Sequence, residues 1–290
     1  MNGMKQKFKA LIEKNRWIKA VPNSLTLCNS LCGFASILIT LQAYKYADDT
    51  AAVATVFAWS AGMILFAMVF DALDGFAARI LNAASMHGLQ MDSLSDMVTF
   101  GVAPATLVAV MTHSMRHLDT FRQYIPVCIL CAIYLGCAAL RLATYNVHAI
   151  LEKKSGEKFS GLPSPGAAAA ICSLVLFTAI RDGKVNRLIQ FLPVYAAFLG
   201  FLMVSSIPYV HGAKWIVSTK RNKKRLITLI VILAVWFGSS FFCNPLVVPV
   251  ILINAYILWG PLAFLAVKLG IIKPGPDFSV GSAEQKDLEK

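Results

Sequence analysis

Four aspartates stand close together in the stretch DALDGFAARILNAASMHGLQMDSLSD, which begins at Asp71 and ends at Asp96. On helices, Asp71 and Asp74 would lie about one turn apart, as would Asp92 and Asp96, so each pair would share a face. The connection between the two helices contains Asn82, Ser85, His87 and Gly88. Joined in this way, the helices can bring both pairs of carboxylates together. Their mutual repulsion at the end of an apolar run is costly unless a cation binds them.

The side chains around these acids indicate which ligand they would bind. All candidate ligands are carboxylate oxygens, which suit Mg²⁺ or Mn²⁺ better than Zn²⁺. Gly75 removes a side chain where a ligand could approach the helix, and Ala78 and Gly88 extend that small-residue surface. Arg79 adds a fixed positive charge suited to a phosphate. A solvated acidic helix face is the alternative, but only Arg79 lies nearby to balance four acids.

The elements that must position these acids are membrane helices. Of the 290 residues, 57% are hydrophobic and only 14% are charged, a composition that suits lipid as the solvent. We predict an all-α polytopic helix bundle with eight spans, each of the roughly 17 residues or more that cross a bilayer. The spans lie near residues 24–44, 52–70, 97–113, 124–143, 165–180, 188–208, 226–243 and 246–269. Interruptions in the fourth and fifth leave seven or nine spans open.

Basic residues are distributed unequally between the two sides of this bundle. With both termini on one side, all but six of the 27 Lys and Arg lie on that side. The six exceptions are Lys45, Arg116, Arg122, Arg181, Lys184 and Arg187. By the positive-inside rule, the termini and the acids should be cytoplasmic, and we expect the bacterial inner membrane. The net charge of +12 then favours anionic lipid headgroups as partners over nucleic acid.

The motif Asp71-x2-Asp74-Gly75-x2-Ala78-Arg79-x8-Gly88-x3-Asp92-x3-Asp96 resembles that of the CDP-alcohol phosphatidyltransferase family at every fixed position. The resemblance implies a membrane enzyme with a six-helix core, commonly a homodimer, and a two-metal site at the cytoplasmic interface. A CDP-linked lipid donor would bind there and CMP would leave.

The same resemblance assigns roles to individual residues. Asp71, Asp74 and Asp92 would be metal ligands, and Asp96 would be both a ligand beside the second metal and the candidate catalytic base. A carboxylate that takes the proton of an alcohol suits this chemistry, since alcohols are poor nucleophiles. The residues implied to bind the CDP-lipid are Gly75, Ala78, Gly88 and Arg79.

Within this scheme the chain divides into five segments. Residues 1–21 form a basic cytoplasmic segment, and residues 22–210 form the catalytic core. A basic cytoplasmic loop, 211–225, leads to two additional transmembrane helices, 226–269, and a polar cytoplasmic tail, 270–290. The purpose of the two added helices does not follow from the sequence, although they would suit dimer packing.

A polar face runs along the first span, in PNSLTLCNSLCGFAS. Asn23, Thr26 and Asn29 recur every three residues or so, which marks one helical face. Polar groups on a membrane helix should face the protein interior. They would bind the nucleotide or pyrophosphate of the CDP-lipid, or pack against another helix.

Further stretches resemble the branch of the family that transfers the phosphatidyl group to serine in bacteria and archaea. They are PNSLTLCNSLCGFAS, SDMVTFGVAP, RLATYN and FSGLPSPGAAAA. Arg141, accompanied by Tyr145 and Asn146, would bind a phosphate or the serine carboxylate, or extend to the lipid headgroups. Ser164 is a predicted N-cap, before Pro165, of a helix whose positive end attracts an anion.

This resemblance predicts CDP-diacylglycerol and L-serine as substrates. The alternative acceptors are glycerol 3-phosphate, inositol and choline. A membrane prenyltransferase is disfavoured because its acids come from two separate hairpins. A divalent-cation transporter is also disfavoured, since its carboxylates would lie near the bilayer midplane rather than at the end of a span.

Overall fold

The computed structural model describes residues 16–81, 85–116, 120–151, 161–180, 186–207, 209 and 247–269. These residues form helices and no strands, as predicted for an all-α bundle. In chain order the α-helices are α1 (Arg16–Leu41), α2 (Thr50–Ile80), α3 (Met86–Asp96), α4 (Ala103–Arg116), α5 (Phe121–Leu151), α6 (Ser164–Ile180), α7 (Asn186–Val204) and α8 (Val247–Lys268). A 3-10 helix, Gln42–Tyr46, follows α1, and a π-helical segment, Met97–Val102, joins α3 to α4.

Long apolar helices make the described part of the chain an integral membrane bundle. Five stretches are long and apolar enough to span a bilayer, namely Ala20–Tyr46, Thr50–Ala78, Met86–Arg116, Phe121–Val147 and Val250–Val267. Two shorter apolar helices, α6 and α7, complete the set. The predicted span at 226–243 lies outside the described residues.

Two of the predicted spans were too short at the acidic end. The second was predicted to end at residue 70, but α2 continues to Ile80 and includes Asp71 and Asp74. The third was predicted to begin at residue 97, but its helix begins at Met86 and includes the other two acids. Hydropathy marks where a helix leaves the apolar phase, not where its backbone hydrogen bonds stop, because helices continue into the interface.

Helices α1 and α2 are joined by buried hydroxyl groups along their contact. Ser36 Oγ and Ser60 Oγ lie 2.8 Å apart, and Thr40 Oγ1 lies 2.6 Å from Ser60 Oγ. All three side chains are fully buried. Interhelical hydrogen bonds of this kind hold membrane helices together where the hydrophobic effect cannot. They fix the register in which the start of α1 meets the acid-bearing end of α2.

The π-helical segment lies directly after Asp96. The Ala103 N–H donates to the carbonyl of Val98, five residues back, as a π-helix requires. Tyr134 on α5 is fully buried and donates its Oη to the Phe100 carbonyl at 2.7 Å. The π-helical segment is therefore held against α5 by a buried hydrogen bond.

Thr99, in the middle of this segment, fastens it to α1. Its Oγ1 donates to the Asn29 carbonyl at 3.0 Å. At this point the two backbones approach so closely that a Cβ on Gly33 would lie 2.5 Å from Thr99 Oγ1 and 2.8 Å from its Cα. Only glycine fits at residue 33, so the close approach of α1 to the π-helical segment depends on it.

The segment before α6 is held against the end of α7. The Gly161 N–H donates to the Ile207 carbonyl at 2.8 Å, and the Leu162 N–H donates to the Leu202 carbonyl at 3.0 Å. Gly161 has a φ of 93°, in the left-handed region. A Cβ at Gly161 would also collide with the carbonyl oxygen of Met203. The segment thus has a defined path to the start of α6.

We expect Gly161→Ala to lower the thermal stability of the purified protein in detergent. The backbone conformation alone should cost about 1–3 kcal/mol, and the collision with Met203 adds to it. Gly136→Ala on α5 is the matched control, since a Cβ there meets nothing within 4 Å. If Gly161→Ala unfolded at the same temperature as the control, the conclusion that residue 161 must be glycine would be wrong.

Candidate metal and acceptor site

Three carboxylates from two helices converge where α2 ends and α3 begins. Asp71 and Asp74 project from α2 and Asp92 from α3, and each offers one oxygen within 4.8 Å of the others. Asp74 is only 5% exposed, whereas the other two are half-buried. The expected pairing of acids across a helical hairpin is therefore present.

The fourth acid, Asp96, lies beside this group. Its carboxyl group interacts electrostatically with those of Asp71 and Asp92. On its other side, the fully buried Asn29 of α1 donates Nδ2 to Asp96 Oδ1 at 3.4 Å. Asp96 thus joins the three-carboxylate group to α1.

The polar face of α1 contacts the acids themselves. Thr26 Oγ1 donates to Asp74 Oδ2 at 2.8 Å, and Ser95 Oγ donates to the Thr26 carbonyl at 2.9 Å. Thr26 and Asn29 are both buried, as expected for polar residues on a membrane helix. Of the two interpretations left open for this face, contact with a neighbouring helix is observed for these two residues.

The connection between α2 and α3 is shorter than predicted. His87 and Gly88 belong to the first turn of α3, because Ser85 is the N-cap and its Oγ accepts the Gly88 N–H at 2.9 Å. A Cβ at Gly88 would lie 3.1 Å from Ser85 Oγ and 3.6 Å from Asn23 Oδ1. Gly88 therefore leaves room for the Ser85 hydroxyl group that caps α3, while Asn23 of α1 lies at ordinary contact distance.

Open space lies above α2 next to the acids. A Cβ at Gly75 would meet nothing within 4 Å, so the helix surface beside Asp74 is accessible to a ligand. Ala78 lies on the same helix and is half-buried. Arg79 follows it on α2, and its side chain lies outside the described part of the structure.

Arg141, on α5, contacts the start of α6. Its Nη1 donates to Ser164 Oγ at 3.0 Å, and its charge interacts with that of Asp96. Ser164 is 1% exposed. The predicted acceptor residue Arg141 is therefore close enough to the candidate base to interact with it electrostatically.

The predicted cap of α6 is wrong by one residue. The Ala167 N–H donates to the Pro163 carbonyl at 3.0 Å, so Pro163 precedes the helix and Ser164 is its first residue. The Ser164 hydroxyl accepts a hydrogen bond from Arg141 instead. Sequence spacing could not distinguish the two arrangements, because both follow from a Ser-Pro pair at a helix start.

Asn146, predicted to accompany Arg141, contacts α3. Ser93 Oγ donates to Asn146 Oδ1 at 2.8 Å, while Tyr145 is 45% exposed. Between α3 and α5 lies an open groove of about 400 Å³, mostly apolar. It is lined by Gln90, Ser93, Leu94, Met97, Ala139, Leu142 and Asn146.

The donor chemistry of the acids fits a divalent metal ion. Three carboxylate oxygens within 4.8 Å of one another can bind a common hard cation, since Mg²⁺, Mn²⁺ and Ca²⁺ all prefer oxygen ligands. Asp74 accepts a hydrogen bond from Thr26 through Oδ2, which fixes its orientation. Such ordering of ligating groups by their neighbours is typical of metal sites.

Sequence reasoning did not single out several residues that position the site. Ser93, Ser95 and Thr99 lie near Asp96 in the chain, and their hydrogen bonds connect α3 and the π-helical segment to α1 and α5. The sequence could have indicated them, because hydroxyl groups in an otherwise apolar span tend to face other helices.

Comparisons with known proteins give a consistent result. The sequence model of a family described as CDP-alcohol phosphatidyltransferase matches residues 19–219. Archaetidylserine synthase of Methanothermobacter thermautotrophicus is 34% identical over 196 residues, covering 66% of this chain and 69% of that protein. CDP-diacylglycerol–serine O-phosphatidyltransferase of Bacillus subtilis is 34% identical over 197 residues, covering 67% and 92%. The Helicobacter pylori protein of the same name is 28% identical over 253 residues, covering 86% and 96%.

Proposed function

The chain belongs to the CDP-alcohol phosphatidyltransferase family, and from this premise we propose that it transfers the phosphatidyl group of CDP-diacylglycerol to L-serine. CMP is the leaving group, and phosphatidylserine is the lipid product. The observation that carries this proposal is the approach of three carboxylate oxygens to within 4.8 Å of one another, beside a fourth acid. The names of the relatives support serine as the acceptor.

In this proposal Asp96 is the base. The serine hydroxyl attacks the phosphorus nearest diacylglycerol and transfers its proton to an Asp96 oxygen. The bond from that phosphorus to the bridging oxygen breaks, and CMP departs with both bonding electrons. Asn29 supports this role, because its amide donates to Asp96 Oδ1 and limits rotation of the carboxyl group.

The remaining acids hold the charge of the donor. We propose that Asp71, Asp74 and Asp92, with Asp96 beside the second ion, bind two divalent cations, Mg²⁺ or Mn²⁺. When bound, such ions neutralise the diphosphate and stabilise both the attacking and the leaving oxygen. Thr26 keeps Asp74 oriented toward its partners through the 2.8 Å hydrogen bond.

The donor and the acceptor approach from different sides of the acids. The nucleotide would lie over α2 beside Gly75, Ala78 and Arg79, and also close to Gly88, where small residues leave room. The groove between α3 and α5 would take the apolar part of the lipid, since it adjoins the acids and is mostly apolar. The serine carboxylate would bind Arg141, which interacts electrostatically with Asp96.

The placement in the membrane is part of the same proposal. The excess of Lys and Arg on the side that carries both termini and the acids supports a cytoplasmic active site in a bacterial inner membrane. Substrates such as serine and CMP are water-soluble, so this side suits their exchange. A homodimer and the five-segment organisation of the chain remain predictions.

Acceptor competition tests the proposal. Purified enzyme is given CDP-diacylglycerol, Mg²⁺ or Mn²⁺, and labelled serine, with glycerol 3-phosphate, inositol or choline as competitors. We expect labelled phosphatidylserine and stoichiometric CMP, with little loss of label to the competitors. Transfer to another alcohol in place of serine would overturn the choice of acceptor.

We expect Arg141→Ala to raise the KM for serine selectively. Loss of a charge-assisted contact with a carboxylate should cost about 1.5–3 kcal/mol, or roughly 10–100-fold in KM. The KM for CDP-diacylglycerol should change little. Arg122→Ala, at the exposed opposite end of α5, is the control. Equal kinetics of the two variants would exclude Arg141 from the acceptor site.

A further inference from the structure

The π-helical segment Met97–Val102 is followed by a proline that deprives one of its carbonyl groups of the usual donor. In an α-helix the Phe100 carbonyl would accept from the N–H of residue 104. Residue 104 is proline, which has no N–H to donate. The hydroxyl group of Tyr134, on α5, donates to the Phe100 carbonyl at 2.7 Å instead. Tyr134 and Phe100 are both fully buried, so the substitute donor comes from inside the bundle.

Close packing of the helix backbones holds the Tyr134 side chain at this position. A Cβ at Gly200 of α7 would lie 3.0 Å from the Tyr134 Cα, so α7 lies directly against the part of α5 that carries the ring. The π-helical segment also packs on α5, because a Cβ at Gly101 would lie 3.4 Å from Leu135 Cδ1 and 3.7 Å from Ala138 Cβ. The Tyr134 hydroxyl group is thus a rigidly placed donor.

The segment that receives this hydrogen bond is joined directly to the candidate base. Asp96 immediately precedes its first residue. Thr99, within the segment, donates its Oγ1 to the Asn29 carbonyl of α1 at 3.0 Å, and Asn29 Nδ2 donates to Asp96 Oδ1 at 3.4 Å. The segment is therefore attached to α1 through Thr99 and to α5 through Tyr134.

The bond from Tyr134 bears on where the base lies. A π-helical turn is a rare departure from the α-helix and is often found at functional sites. Inside a membrane span, a backbone carbonyl without a donor is costly, because lipid supplies none. Without the Tyr134 hydroxyl group, the segment would have to shift to find another donor for Phe100. Such a shift would move Asp96 relative to the acids of α2.

We infer that Tyr134 is a positioning residue for Asp96: its hydroxyl group holds the π-helical segment, and with it the candidate base, in the place where the serine hydroxyl loses its proton. This inference rests on the proposed function. Tyr134 acts through the backbone of the segment. A misplacement of about 1 Å at a reacting group can cost about 100-fold in rate. The groups proposed to bind the two substrates lie outside the segment, so their affinities should change little.

The test compares Tyr134→Phe with Tyr209→Phe in the full-length enzyme. Tyr209 is the matched control, because it is 6% exposed and donates its Oη to another helix carbonyl, that of Ile257 on α8, at 3.0 Å. The kcat and both KM values are measured for serine and CDP-diacylglycerol, and thermal unfolding is measured in the same detergent.

We expect the two variants to differ in rate rather than in stability. Each loses one buried hydrogen bond to a backbone carbonyl, so the unfolding midpoints should fall by similar amounts. Only Tyr134→Phe should lower kcat, by about tenfold, with both KM values within about twofold of wild type. Equal kcat values in the two variants would overturn the inference. A rise in both KM values with kcat unchanged would also overturn it.

A second pair of variants keeps the test valid should Tyr134→Phe fail to fold. In Tyr134→Phe/Pro104→Ala, the new N–H of residue 104 can pair with the Phe100 carbonyl within the helix, which removes the cost of leaving it without a donor. We expect its kcat to be about tenfold below that of Pro104→Ala alone, because the segment is no longer attached to α5. Equal kcat values in this pair would show that the hydroxyl group only satisfies the carbonyl, and the inference would be wrong.

The outcomes separate this inference from the proposed function. Wild-type enzyme that does not use serine would defeat the proposed function before any variant is compared. Wild-type enzyme that does use serine, together with a Tyr134→Phe variant matching the Tyr209→Phe control, would defeat the inference alone.

Discussion

Asp96→Asn should abolish transfer to serine while sparing much of the binding of CDP-diacylglycerol. The amide has nearly the same shape as the carboxylate but cannot take the proton of the serine hydroxyl. General-base catalysis typically contributes about 10²–10⁴-fold to the rate, and a loss of this size is expected in kcat. Formation of labelled phosphatidylserine measures the rate, and calorimetry with CDP-diacylglycerol in detergent measures binding.

The control for this prediction is Asp48→Asn. Asp48 is an exposed acid just before α2, at the end opposite to the acidic cluster, so its substitution should leave kcat and donor binding unchanged. Normal turnover in Asp96→Asn would remove Asp96 from the role of base. A loss of donor binding as large as the loss of rate would instead reassign it to the metal-binding group.

The second large effect is expected for Asp92→Asn. Asp92 supplies the oxygen through which α3 joins the two acids of α2, so the variant should bind divalent ions much more weakly. Even loss of an indirect partner of a metal ligand costs about 10–100-fold in affinity, and loss of a ligand should cost at least as much. Direct Mn²⁺ binding, followed by electron paramagnetic resonance, measures this without reference to activity.

The two variants should therefore respond differently to added metal ions. Asp92→Asn should regain part of its rate at high metal concentration, because the defect lies in affinity. Asp96→Asn should not regain its rate, because the missing group is the base. If Mn²⁺ bound equally well to Asp92→Asn and to the Asp48→Asn control, the metal site would have to lie elsewhere.

The helix bundle and the acidic cluster could be predicted because both depend on residues that are close together in the sequence. Apolar runs specify membrane helices, and the spacing of Asp71, Asp74, Asp92 and Asp96 places each pair on one helical face. How far each helix extends beyond its apolar run was less predictable, as the end of α2 at Ile80 illustrates. Polar residues at an interface do not end a helix, since its backbone bonds are satisfied within the helix itself.

The parts that could not be predicted depend on contacts between distant residues. Nothing in the spacing of Arg141 and Ser164 indicates that one donates to the other, and the Ser-Pro pair suggested a cap instead. The rotation of α8 about its axis depends on the hydrogen bonds that Tyr195 and Tyr209 make to it. Such packing is decided by side-chain complementarity across helices, for which a single sequence has no simple periodic signal.

The wide turn from Met97 to Val102 sets a limit on how this protein can change. Each residue of an α-helix advances the chain by about 100° around the axis, so loss or gain of one residue here would rotate the two halves of the third span against each other. If α4 kept its place, Asp92 and Asp96 on α3 would then point away from α2. If α3 kept its place, α4 would instead turn its buried face away from the core. The length of this segment is therefore as constrained as the identity of the acids, and single-residue insertions should be tolerated in the loops but not between Asp96 and Ala103.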